Sequence, residues 1–256
     1  SLQKKPEEWA VPHVYYSQKD REHVRDTELL DFVIQNNIGK CLIPETCWNR
    51  VFEIAQLMRS HHVKCYAIPN VEIIRKDELN KHRHFHKILC NNHICQEFLR
   101  KYGISNTIYV GYGVYDKAFK IQMKHLRGTE TVRFLFIGGM NAFSRKHILE
   151  ICEAFVQVCD TMNNIELTCT IQKTNQLETK DIEGLERYLD HPKIRIVQDH
   201  LTYQAIMDLY REHDVSIQVS KHEGLGLGFY EALMTGTPVI TLNVPPHNEI
   251  IREGVN

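Results

Sequence analysis

Apolar runs long enough to cross a bilayer are missing from this chain of 256 residues. The longest, Phe134-Leu135-Phe136-Ile137, falls far short of the roughly 18 residues a span requires. A secretory leader is missing too, since the chain opens on the polar Ser1-Leu2-Gln3-Lys4-Lys5. Charge of one sign is not in excess: 31 Lys+Arg against 32 Asp+Glu leave a net charge of −1. That balance excludes nucleic acid as a partner recruited by bulk electrostatics. There is no tandem repeat, no low-complexity tract and no Cys-x-x-Cys pair. The eight cysteines, at 41, 47, 65, 90, 95, 152, 159 and 169, fall largely within apolar periodic stretches. They read as reduced, mostly buried thiols of a cytoplasmic protein.

What is present is ordinary globular material, 43% hydrophobic and 25% charged, enough for two modest α/β domains. Strand-like runs alternate with helix-like ones, the pattern of a parallel sheet covered by helices. The expected strands of the first half are Lys40–Ile43, Lys64–Ile68, Lys87–Cys90 and Thr107–Val110. Helices are expected over Cys47–Ser60 and Asn92–Tyr102, the second burying a stripe of Ile94, Phe98 and Tyr102 and ending at Gly103. The pattern restarts at Val132–Ile137, which reads as a strand buried on both faces. Helices over Lys146–Cys159, Asp181–Leu189, Tyr203–His213 and Gly228–Thr235 alternate with strands at Glu166–Thr170, Lys193–Val197, Val215–Val219 and Pro238–Leu242. Nothing before residue 40 has the form of an opening strand and glycine turn, and the series stops after a Pro-Pro turn. The chain therefore reads as truncated at both ends.

Among the 15 histidines, His82, His84 and His86 alternate as metal ligands on one strand face would. No carboxylate or cysteine stands at a matching spacing, so the expectation is a solvated polar segment and no metal site.

The strongest chemical signal is Ser220-Lys221-His222-Glu223-Gly224-Leu225-Gly226-Leu227-Gly228-Phe229-Tyr230-Glu231. A strand runs into a glycine-rich loop that opens a helix. Glycines let backbone amides approach a ligand, and a helix amino terminus favours negative charge, so the loop suits a diphosphate. A carboxylate on each side, Glu223 and Glu231, can accept hydrogen bonds from sugar and ribose hydroxyls. Upstream, Gly138-Gly139-Met140-Asn141 leads to the basic pair Arg145-Lys146 at the start of a helix.

These motifs resemble those of the family-four retaining glycosyltransferases of the GT-B fold, through the Glu-x7-Glu signature and Gly236-Thr237-Pro238-Val239-Ile240. The resemblance covers most of residues 85–250 and is close from about residue 132. It implies a fold of two Rossmann-like domains with parallel sheets facing across a cleft. Residues 1–116 would be a partial acceptor-side domain, 117–131 a linker, and 132–256 the donor-binding domain without its final helices. The resemblance also implies roles. Glu223 would contact the donor sugar, with Gly139 and the amides of Gly224, Leu225, Gly226 and Leu227 on the diphosphate. Glu231 would hold the ribose, and Arg145 and Lys146 would neutralise the leaving group. The family's usual Asn is His147 here, and the glycine turn is one residue longer. His200 and Leu201 would lie near the base.

The implied reaction moves a sugar with retention from a UDP- or GDP-sugar to a hydroxyl of a glycan, lipid or protein, with possible peripheral membrane contact. No Asp-x-Asp motif is present, so no metal and no further cofactor is expected. A histidine of the acceptor domain would touch the donor sugar, and His61, His62, His82, His84 and His86 all stay open for that role. A non-catalytic nucleotide-sugar-binding module and a GT-B sugar-nucleotide epimerase are the alternatives.

Overall fold

The structure, a computed structural model, describes residues 25–46, 50–113, 131–139, 142–172, 179–252 and 254. Cys47, Met140, Asn141, the expected linker from 117 to 130 and Val114–Asp116 lie outside the described residues. The chain forms two compact units. One holds the described residues up to Asn91 with Cys95–Val110, and the other holds Asn92–Ile94 with the described residues from Gly111 on.

In the first unit, β1 (Lys40–Pro44), β2 (Lys64–Ile68), β3 (Lys87–Cys90) and β4 (Thr107–Tyr109) form a parallel sheet in the order β1-β2-β3-β4. Its helices are α1 (Asp26–Gln35), α2 (Val51–Ser60) and α3 (His93–Lys101). The strand expectations hold to within a residue, because short β-branched runs bounded by turns leave little freedom. Helix α1 was not expected; only Val33 of its residues is buried, so its apolar stripe is thin. The core gathers Phe52, Ala55, Met58, Cys65, Ala67, Ile88, Cys90, Cys95, Leu99 and Ile104.

Two sequence expectations fail here. In α3 the buried line is Cys95 and Leu99, while Ile94 and Phe98 are half-buried and Tyr102 is 41% exposed. Phe98 and Tyr102 instead pack on each other at a tilt of 57°, with centroids 5.1 Å apart. Gly103 does end the helix, at φ +75°. The histidine-rich segment is a 3-10 helix, Lys76–His84, and His82 is buried at 1% exposure. Its Nδ1–H donates to the Glu78 carbonyl at 3.1 Å and its Nε2 meets the Thr46 hydroxyl at 3.3 Å. With both ring nitrogens satisfied and Phe52 packed edge-on at 4.9 Å, an imidazole is an acceptable core residue. Burial holds its pKa below the ordinary value, so it packs neutral.

The second unit is a five-stranded parallel sheet in the order β7-β6-β5-β8-β9: β5 (Val132–Ile137), β6 (Ile165–Ile171), β7 (Ile194–Gln198), β8 (Val215–Gln218) and β9 (Val239–Thr241). Around it lie α4 (Ile148–Cys159), α5 (Thr179–Leu189), α6 (Tyr203–Glu212), α7 (Leu227–Met234) and the short α8 (His247–Ile250). Strand β5 shows why both faces must be covered. Phe136 packs with Ile148, Ile151 and Phe155 of α4, whereas Leu135, pointing the other way, packs with Met207 and Tyr210 of α6 and Ala232 of α7. Arg133, at the exposed start of β5, donates from its amide to Asp214 Oδ2 at 2.8 Å. None of the seven described cysteines is in a disulfide, and Cys65, Cys90, Cys95, Cys152 and Cys169 are buried. No helix among the described residues is long and apolar enough to cross a membrane.

Candidate functional site

The strand order of the second unit reverses beside β5. The chain leaves β5 toward β6 on one side, and leaves β8, its other neighbour, toward β9. The carboxyl ends of two such strands diverge into a crevice, the place where open α/β sheets hold ligands. The loop after β5 carries Gly138, Gly139, Arg145 and Lys146, and the loop after β8 carries Ser220–Gly226. The two candidate motifs, distant in sequence, thus meet at one point of the sheet.

Gly138 is required sterically. A Cβ there would come within 2.6 Å of Ala142 Cβ and 2.7 Å of the Thr170 carbonyl oxygen. The basic pair does not open helix α4 as expected. It sits in a turn over 142–146, and α4 starts at Ile148 behind a left-handed His147 at φ 62°. This turn aims both cations back at the sheet. Lys146 Nζ donates to the Ile137 carbonyl at 3.1 Å, and Arg145 Nη1 donates to the His222 carbonyl at 2.9 Å. The Lys221 amide closes the contact by donating to the Arg145 carbonyl at 2.8 Å.

The glutamates are placed differently from one another. Glu223 pairs with Arg145 at 2.7 Å, both side chains being largely covered. Burial works against its ionised form, but hydrogen bonds from Arg145 and Ser220 and the charges of Arg145 and Lys146 outweigh it, and its pKa falls below the usual value. Glu231 is the fifth residue of α7, one position beyond its first turn. Burial raises its pKa, partly offset by Lys146 and by a hydrogen bond with Tyr210. Lys146 lies between the two carboxylates: burial lowers its pKa, while Glu223 and Glu231 pull it back up. Arg145 and Glu223, given separate ligand groups by the sequence reading, neutralise each other here.

The loop that carries Gly224, Leu225, Gly226 and Leu227 has its own support. Gly226 takes φ +72° at the cap of α7, and a Cβ there would strike the Phe229 ring. Phe229 in turn packs against His247 at 5.0 Å. His247 is fully buried; its Nδ1 meets Thr241 Oγ1 at 3.2 Å, and its Nε2 has no partner among the described residues. Asn92 donates to the Gly224 carbonyl. Tyr112 packs on Tyr230 at a tilt of 48°, with centroids 5.1 Å apart. At the carboxyl ends of β6 and β7, Gln172 Nε2 and His200 Nδ1 are 2.6 Å apart, and Leu201 is half-buried beside them in sequence. Sequence reasoning missed Tyr210 and His247, which no motif marks and only their spatial neighbours reveal, and it gave Ser220, the first residue of the glycine-rich motif, no role. It also left five histidines open, and the structure narrows them. His82 is in the core, His61 Nδ1 donates to the Leu57 carbonyl at 3.0 Å, and His62, His84 and His86 lie at the amino ends of the strands.

Two parallel-sheet α/β units, one with a glycine-rich loop at its switch point, make up the GT-B fold. Residues 131–256 match the model of the family described as "Glycosyl transferases group 1". Among solved structures, the chain is similar to the UDP-forming α,α-trehalose-phosphate synthase of Burkholderia xenovorans in complex with glucose-6-phosphate. The identity is 11%, with 84% of this chain and 60% of that one covered and a TM-score of 0.63. It is also similar to the apo lipopolysaccharide outer core galactosyltransferase WaaB (13%, 88% and 63% covered, TM-score 0.65). A third likeness is to the pneumococcal O-GlcNAc transferase GtfA in complex with UDP and GlcNAc (15%, 88% and 46% covered, TM-score 0.61). The chain thus spans about 60% of the length of the trehalose-phosphate synthase it matches. Among curated proteins, no sequence matches it.

Proposed function

We propose that the second unit binds a nucleoside diphosphate sugar and that the whole protein transfers the sugar, with retention and without a metal ion, to an acceptor hydroxyl. The convergence of Arg145, Lys146, Glu223 and Glu231 at the switch point carries this reading. The amides of Gly224 to Leu227 and the amino end of α7 receive the diphosphate, with Gly139 on the facing turn. Glu231 accepts from the ribose hydroxyls. As the bond to the sugar breaks, charge grows on the distal phosphate, and Lys146 and Arg145 stabilise it in place of a metal. Arg145 exchanges part of its bond with Glu223 for phosphate oxygen, which frees Glu223 to accept from the sugar hydroxyls. The similar structures that form or hold UDP favour uridine over guanosine.

A second reading, a binding module without transfer, is favoured by one observation. All five histidines left open for the sugar lie in the core or toward the amino ends of their strands.

The test is thermal stabilisation by UDP, GDP and their sugar conjugates, repeated on Glu231→Ala and Lys146→Ala, with release of sugar from the donor followed in parallel. A shift seen with one nucleotide and absent in both variants supports the site. Sugar release with it favours the transferase over the module. A shift that survives both substitutions removes the proposed site.

A further inference from the structure

We propose that the first unit carries a separate site for phosphate-bearing anions, at the amino-terminal ends of β2, β3 and β4. A cavity of about 450 Å³ opens there, lined by Arg59, His62, Lys64, Arg83, His84 and His86 with Ser105 and Asn106. No carboxylate lines it. In a chain whose net charge is −1, that is a local segregation of cationic groups. Among the described residues none of Arg59, Lys64 and Arg83 makes an ion pair. Cations crowded together without counter-charge repel one another, and an anion relieves that repulsion.

The bowl is built rather than a chance meeting of surface side chains. Asn106 Nδ2 donates to the carbonyls of Phe85 at 2.8 Å and His82 at 3.4 Å, tying the end of the 3-10 helix to the loop before β4. The His86 amide donates to the Cys65 carbonyl at 2.7 Å, and the Lys64 amide to the Gly39 carbonyl at 3.0 Å. The guanidinium of Arg83 lies against Gly103, where an added Cβ would stand 3.2 Å from Nη2, just past the carboxyl end of α3. That helix end favours a cation and helps hold the guanidinium in place. His62 takes the left-handed conformation at φ 61° where α2 ends, and the Val63 amide closes that end by donating to the Met58 carbonyl at 2.9 Å.

Guanidinium, ammonium and imidazole groups converging with the Ser105 hydroxyl match the acceptor-rich surface of a phosphate. The volume suits a small polyphosphorylated molecule or a phosphomonoester headgroup. The site lies at the opposite ends of the strands from the carboxyl edge and does not depend on the proposed donor site.

The experiment uses the full chain carrying Lys146→Ala, so that the second unit's phosphate contacts are weakened. Inorganic tripolyphosphate is titrated by calorimetry at physiological ionic strength, with glucose as the neutral control. A parallel arm measures co-sedimentation with vesicles of phosphatidylcholine alone or with phosphatidic acid. Tripolyphosphate binding that falls about tenfold for each of Arg59→Ser and Arg83→Ser supports a soluble ligand. Sedimentation only with phosphatidic acid, reduced by the same substitutions, supports a lipid headgroup. Both side chains are exposed, so circular dichroism should be unchanged; Lys64→Gln provides a second variant should either arginine change disturb folding. No binding in either arm, or binding indifferent to all three substitutions, overturns the proposal.

Discussion

Glu231, the proposed ribose-binding group, is kept at a cost to the free protein. Its carboxylate is buried against Tyr210, and burial raises its pKa above the usual 4.5. A carboxylate whose folded pKa is raised destabilises the fold when ionised; the cost is absent below the unfolded pKa and grows as pH rises through the folded one. Glu231→Gln removes the charge and keeps an acceptor for Tyr210. The variant is expected to melt above the wild type at pH 7, and the gap should close as pH is lowered to 4. Its nucleotide-induced shift should be lost at the same time, the exchange of stability for function expected at such sites. Melting curves of both proteins at the two pH values check this, and a variant less stable at pH 7 would show that the carboxylate is held by interactions stronger than its burial. Glu231 was legible because a glycine-rich loop between two glutamates is a local pattern. Tyr210 and His247 were not, since they reach the site from α6 and α8 through packing, and a lone Tyr or His in a helix carries no mark of its neighbours.

Elements were more legible than residues where hydrophobic periodicity and a stop signal agree. Strand β2 and the pair β3 and β5 run as expected because each is a short apolar run with turns at both ends. The start of α4 was placed two residues early, because Arg145 and Lys146 are good helix formers that tertiary contacts hold in a turn. The 3-10 helix around His82 went unseen for a different reason: its sequence is polar, and its burial rests on two side-chain hydrogen bonds. Two predictions belong at this scale. Thr202 caps α6, accepting from the Ala205 amide at 3.2 Å. Thr202→Ala should cost about 1 kcal/mol in urea unfolding without altering nucleotide affinity. Gly138→Ala meets backbone and Ala142 at once, so the turn after β5 must move. It should cost about 1–3 kcal/mol and also weaken nucleotide binding, because the same turn carries Arg145 and Lys146. Loss of stability with unchanged affinity would mean that the two loops are independent.

Each unit of the molecule has its own hydrophobic core. Leu99, Met58 and Ile88 belong to one, and Leu167, Phe136 and Ile148 to the other. Separate cores break the two-state assumption that a small single domain satisfies. Calorimetry of the intact chain should therefore resolve two transitions, and substitutions assign them. Leu99→Ala, at a site of 0% exposure, should cost about 2–5 kcal/mol and lower one transition alone. Leu167→Ala, at 1% exposure, should lower the other. A nucleoside diphosphate at a hundred times its dissociation constant adds about 2.7 kcal/mol to whatever binds it. Under the proposed function that gain falls wholly on the transition lowered by Leu167→Ala, because the diphosphate loop, Lys146 and Glu231 all belong to the second unit. Tripolyphosphate added to the Lys146→Ala protein should move the other transition instead. A single cooperative melt, shifted by both ligands and both substitutions, would mean that the units unfold as one and that neither ligand can be assigned from stability. Binding would then have to be mapped residue by residue, by amide exchange with each ligand present.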